Sequence, residues 1–183
     1  MKLIVISSPE NSSDEIEIVS ALFENGLEIF HIHKPNFSKE ETKNFIHQIP
    51  SKYHNKIFLH SDFPKFHSLE ELENYKMKYD YAFLSPIFDS ISKVGYKTSH
   101  EFHELTRNKL EKIRVISGKN IIALGGIDED KIETCFELGF AGVAVLGAIW
   151  NSASPIEKFK RLKLLCHAEQ SEASVLDSSL RSE

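Results

Sequence analysis

The chain has 183 residues, of which 41% are hydrophobic, 27% charged and 10% aromatic, a globular balance that excludes disorder as the main reading and fits one domain. Its net charge of −5 argues against nucleic acid, whose phosphates call for a basic surface, and no apolar run approaches the ~20 residues that span a bilayer. Two cysteines, Cys135 and Cys166, make no disulfide framework, and the apolar opening is too short for a signal peptide, so the expected compartment is the cytoplasm.

Short apolar runs recur at Leu3–Ser7, Leu27–His33, Lys56–His60, Tyr79–Ser85, Asn120–Gly125 and Gly142–Gly147. Between them lie stretches of helical length and period. Acids open the first after Asp14, and Gly26 follows it. Ser38-Lys39-Glu40-Glu41 is a capping box for the second, closed by Pro50, and Ser68-Leu69-Glu70-Glu71 repeats that signal. Asp128 caps a helix running to about Leu138, and Ser154-Pro155 opens the last. Strands apolar on both faces, alternating with helices, define an α/β parallel sheet covered by helices. At about 25 to 28 residues per strand–helix unit, the chain holds six such units rather than eight. The segment from His167 carries four acids, one base and five serines, with no lysine or aromatic residue. Residues 1–165 are therefore expected to form the domain, and 166–183 a disordered or weakly helical tail.

Active sites of such folds lie at the C-terminal ends of the strands. The fourth run leads into Ser85–Tyr96, where Ser90, Ser92 and Lys93 offer the hydroxyls and the charge that a phosphate needs. The fifth ends in Gly125-Gly126 ahead of a helix, and the sixth in Leu146-Gly147. Two glycine-bearing strand ends one unit apart make an anion cradle, since their amides can approach an oxygen closely. His31 and His33 share one face of the second strand, and His60 and Asp62 end the third. A His-based metal hydrolase is a rival reading of these residues, beside plain packing or substrate contact. Cys135 and Cys166 lack any catalytic partner pattern and read as packing residues.

The segments Ser85–Tyr96, Ile122–Ile127 and Gly139–Trp150, in this order, resemble the thiamine phosphate synthase family, which includes the thiazole tautomerases. The resemblance implies a TIM-barrel-like (β/α) fold. It also implies the Mg²⁺-assisted coupling of hydroxymethylpyrimidine pyrophosphate to thiazole phosphate, giving thiamine phosphate and pyrophosphate. By position, the family's anion-binding loop falls on Ser90, Ser92 and the catalytic Lys93, and its thiazole-phosphate cradle on Gly125, Gly126, Leu146 and Gly147. A glutamine-x-arginine-x-lysine pattern meets His31 and His33, with Lys34 displaced by one place, and Asp62 is the substitute for a Mg²⁺ ligand.

The departure is a gap. Only Phe63–Phe66 separates Asp62 from the helix where the family has two further strands. The expectation is therefore an incomplete barrel of about six parallel strands, open near residues 61–68, with the thiazole-phosphate site kept and the pyrimidine side depleted. Pairing into a homodimer is one way to cover the exposed edge. Phosphorylated small molecules are the expected partners, with synthase, tautomerase and non-catalytic phosphate binder as the alternatives.

Overall fold

The computed structural model describes residues 1–73, 80–89, 108–112 and 120–180. Among the described residues there are seven strands: β1 (Lys2–Ile6), β2 (Ile29–Ile32), β3 (Ile57–Leu59), β4 (Lys65–Phe66), β5 (Tyr81–Leu84), β6 (Asn120–Leu124) and β7 (Gly142–Val145). The helices are α1 (Glu15–Glu24), α2 (Lys39–Gln48), α3 (Leu69–Glu73), α4 (Ile132–Glu137), α5 (Gly147–Trp150) and α6 (Pro155–Leu180), with a further helical turn at 108–112. The local signals act as the residue types require. Ser38 Oγ accepts the Glu41 amide at 3.2 Å while the Glu41 carboxylate accepts the Ser38 amide at 2.7 Å, and Pro155 begins α6.

Every strand pair is parallel, in the order β3-β2-β1-β7-β6-β5-β4. The first and last strands have joined, β1 against β7 from Lys2↔Gly142 to Val5↔Val145. β3 and β4 are the two ends of the sheet. The fold is thus a curled parallel sheet with helices, a barrel open at one seam. A 3₁₀ turn at His60–Asp62 and the pair Phe63-Pro64 carry the chain across that seam without a helix. This is the incomplete barrel of about six parallel strands that was expected, with seven strands among the described residues, the additional one being β4. β4 has only two residues, too few to show any period in the sequence.

Alternation along the strands divides the core. Leu3, Val5, Phe30, Ala82, Leu84, Ile121, Ala123, Val143 and Val145 pack outward under the helices. Ile4, Ile6, Tyr81, Phe83, Ile122 and Ala144 pack inward as a smaller barrel interior. By the same alternation His31 points inward between Phe30 and Ile32, and Lys65 points inward beside outward Phe66. The N-terminal amine donates to the Cys166 carbonyl at 2.7 Å and ties α6 to the base of β1. At the other end Trp150 Nε1 donates to the Ile6 carbonyl at 2.7 Å, fastening α5 over the exit of β1. The backbone of α6 continues as a helix to Leu180, through the segment expected as a disordered or weakly helical tail.

Candidate functional site

Beyond β6 the chain turns through Gly125 and Gly126 with φ of +97° and +65°. The segment after β5 lies directly against them. The Ile87 amide donates to the Leu124 carbonyl at 3.0 Å and the Phe88 amide to the Gly125 carbonyl at 3.1 Å. A Cβ on Gly125 would stand 2.9 Å from Pro86 Cα, and one on Gly126 would stand 2.7 Å from Phe88 Cβ. Both glycines are therefore demanded twice, by backbone conformation and by close approach. At the end of β7, Leu146 leads into Gly147, the first residue of α5.

These strand ends border a cavity of about 350 Å³ at the C-terminal end of the sheet. Gly125, Gly126, Ile127, Leu146 and Gly147 line one part of it, and His33, His60, Lys65, His67 and Ser85 line the rest of its polar wall. The N–H groups of Gly126, Ile127 and Gly147 have no backbone acceptor among the described residues. His67 Nδ1 donates to the Ser85 carbonyl at 2.9 Å.

His31 is completely buried below the cavity. Its Nε2 lies 2.6 Å from the Tyr81 hydroxyl, and its Nδ1 lies 3.3 Å from His60 Nδ1. The rings of Phe58, Phe63 and Phe83 surround it at centroid distances of 5.8, 4.8 and 5.3 Å. Removal from water disfavours an imidazolium there and pushes His31 down to about 4. Burial, with smaller repulsions from Lys65, His31 and His33, pushes His60 down to about 3. Burial, and then the Asp80 charge, push the Tyr81 phenol upward. At neutral pH all three groups are uncharged.

The expected site residues are thus partly assembled. Gly125, Gly126, Leu146, Gly147 and His33 border the cavity, whereas His31 sits one layer beneath it. Ser90, Ser92 and Lys93 lie outside the described residues. Lys34 does not border the cavity: its Nζ is 2.6 Å from Glu15 Oε2, with both side chains buried. Asp62 is exposed on the seam turn and borders no part of the cavity.

Mg²⁺ takes oxygen ligands, usually one or two carboxylates with water and substrate phosphates. Among the described residues no carboxylate borders the cavity, and no group of three His, Cys, Asp or Glu side chains is arranged to hold a metal ion. The described residues do not fit Mg²⁺, nor the His-based metal hydrolase. Cys135 and Cys166 are buried thiols, and burial pushes Cys135 up to about 12, so neither is a ready nucleophile. Lys65, His67 and Ser85 join the site without any local sequence motif that marks them. The inward direction of the first two depends on β4, which only its pairing with β5, Lys65↔Phe83 and Phe66↔Leu84, reveals.

A parallel barrel with glycine-bearing exits on two adjacent strands and a polar cavity beyond them defines a member of the α/β-barrel class, whose sites lie at the C-terminal ends of the strands. The model of the thiamine monophosphate synthase (TMP-TENI) family matches residues 66–149. The thiamine phosphate pyrophosphorylase of Bacteroides thetaiotaomicron is 30% identical, with a TM-score of 0.71 over 91% of this chain and 98% of that one. The Pyrococcus furiosus thiamine phosphate pyrophosphorylase, at 18% identity, shares the fold with a TM-score of 0.68 over 92% of this chain and 96% of that one. The thiamine-phosphate synthase of Limosilactobacillus reuteri is 31% identical over 86 residues, 47% of this chain and 38% of that protein. This chain belongs to the thiamine phosphate synthase family. It spans well under half the length of that curated relative.

Proposed function

We propose that the chain is a thiamine phosphate synthase-like enzyme whose cavity takes thiazole phosphate. The observation that carries this reading is that Gly126, Ile127 and Gly147, whose amides have no backbone acceptor among the described residues, line one cavity at adjacent strand ends. Three amides in that position complement phosphate oxygens. Ser90, Ser92 and Lys93 are assigned to the same anion by the family resemblance. In the coupling reaction the thiazole nitrogen forms a bond to the exocyclic carbon of hydroxymethylpyrimidine pyrophosphate as the bond from that carbon to oxygen breaks. The electron pair leaves with pyrophosphate. Lys93 is assigned to the departing charge. No step is assigned to Mg²⁺ by the described residues.

A non-catalytic phosphate-binding role is the second reading, favoured by the absence of carboxylates from the cavity border among the described residues. No helix among the described residues is long and apolar enough to cross a membrane, which is compatible with work in the cytoplasm on phosphorylated small molecules. Titration calorimetry with thiazole phosphate is expected to show binding that Lys93→Ala weakens at least tenfold, as loss of a charge-assisted contact implies. No heat, or an unchanged affinity in the variant, overturns the reading. A two-substrate assay with and without Mg²⁺ then separates synthase from binder.

A further inference from the structure

A buried chain of hydrogen bonds runs from the barrel interior to the cavity. Tyr81 is buried, and its hydroxyl has one hydrogen-bond partner among the described residues, His31 Nε2 at 2.6 Å. A buried hydroxyl without an acceptor is costly, so the phenol donates and His31 Nε2 accepts. A neutral His31 then carries its proton on Nδ1 and donates it to His60 Nδ1 at 3.3 Å. The reverse direction would make Tyr81 an acceptor and leave its own proton with nowhere to go. With Nδ1 accepting, neutral His60 must carry its proton on Nε2. That nitrogen has no hydrogen-bond partner among the described residues, every buried side-chain nitrogen there is partnered, and His60 borders the cavity. Nε2–H is therefore open to a ligand.

β3, which leads into His60, is separated from β7 by β2 and β1, so this donor stands on the wall away from the glycine exits. We propose that His60 donates its Nε2–H to a ring nitrogen of a phosphorylated heteroaromatic ligand, with His31 and Tyr81 as positioning residues that fix its tautomer. The sequence motif does not convey this role, because Tyr81 is 50 residues from His31. The inference rests on the reading that the cavity takes the phosphorylated substrates of the coupling reaction, and it assigns the side that distinguishes a ring from a bare anion.

Long-range ¹H–¹⁵N spectra of the free, full chain read histidine tautomers directly. The expected result is His31 protonated on Nδ1 and His60 on Nε2; a His60 Nδ1–H form overturns the proposal. In Tyr81→Phe, which keeps the ring and its packing, His60 is expected to populate both tautomers, and an unchanged spectrum removes Tyr81 and His31 from the role. Titration with hydroxymethylpyrimidine pyrophosphate is expected to shift the His60 Nε2 signal, whereas inorganic pyrophosphate leaves it in place. His60→Phe should weaken the pyrimidine ligand about tenfold, the loss of one hydrogen bond, and leave inorganic pyrophosphate unaffected; His60→Gln, which restores an N–H donor, should recover part of that loss. Equal shifts with both ligands, or no binding of the pyrimidine ligand, overturn the contact. Thiazole phosphate binding, measured separately, decides the underlying reading.

Discussion

Lys34 shows how a residue type and a near-match of position can mislead at the smallest scale. Its ammonium is committed to Glu15 Oε2 at 2.6 Å and to the Glu10 carbonyl at 2.8 Å, and it lies 5.6 Å from the ring centres of Phe37 and Phe45. Glu15 in turn accepts the Ser8 amide at 2.8 Å. Burial pushes the Glu15 carboxyl above its ordinary range, and Lys34 and the Ser8 amide pull it back down. The pair pins α1 to the loop after β2, away from the cavity. Removing one partner leaves the other charge buried and alone, which costs about 3–5 kcal/mol. Lys34→Met is expected to lose that much in urea denaturation, and Lys34→Met with Glu15→Leu to regain most of it. A single variant as stable as the parent would show that the pair is dispensable.

At the scale of elements, the glycine turn after β6 and the short strand β4 mark the limits of what the chain discloses about itself. A Cβ on Gly126 meets Phe88, and its φ of +65° disfavours any other residue. Gly126→Ala is expected to lose about 1–3 kcal/mol of stability and, by displacing the 85–89 segment, to weaken phosphate binding as well. Thermal unfolding and phosphate titration check both effects, and an unperturbed variant would mean that the turn has room. The six longer strands were readable because β-branched and aromatic runs between turn residues are local signals. The glycine exits were readable for the same reason, since a glycine at a strand end before a helix marks itself. β4 was not, because two residues have no period, and with it went the inward direction of Lys65. The links from Tyr81 to His31 and from His31 to His60 span 50 and 29 positions, so they exist only once strand register is set. Asp62 failed as a site residue for the opposite reason. Its neighbourhood in sequence was right, but the 3₁₀ turn across the seam leaves it exposed.

For the whole molecule the open seam and the buried imidazoles belong to one argument. β1, β7 and β6 are paired on both sides, whereas β3 and β4 are each paired on one side only. β3 also exposes Phe58 and Leu59, at 36% and 37% of their surface. The least protected backbone is therefore expected at β3 and β4, where opening breaks the fewest contacts. His60 follows directly on β3, and opening that edge would bring both His60 and His31 toward water. Their folded values, about 3 and about 4, lie below the 6.5 of an exposed imidazole. Between those limits the opened state binds protons that the closed state does not, so closure is stabilised above pH 6.5 and loses that stabilisation as the pH falls. Acid should thus loosen the seam before the rest of the sheet. In hydrogen exchange corrected for intrinsic rates, the protection of 57–59 and 65–66 is expected to fall between pH 6.5 and 5, while β1 and β7 change much less. A ligand that touches both His60 and the glycine exits would bridge strands on either side of β1, and it should restore the protection of β3. Equal loss across all strands would mean that the histidines report global unfolding and that the seam is no weaker than the closed side of the barrel.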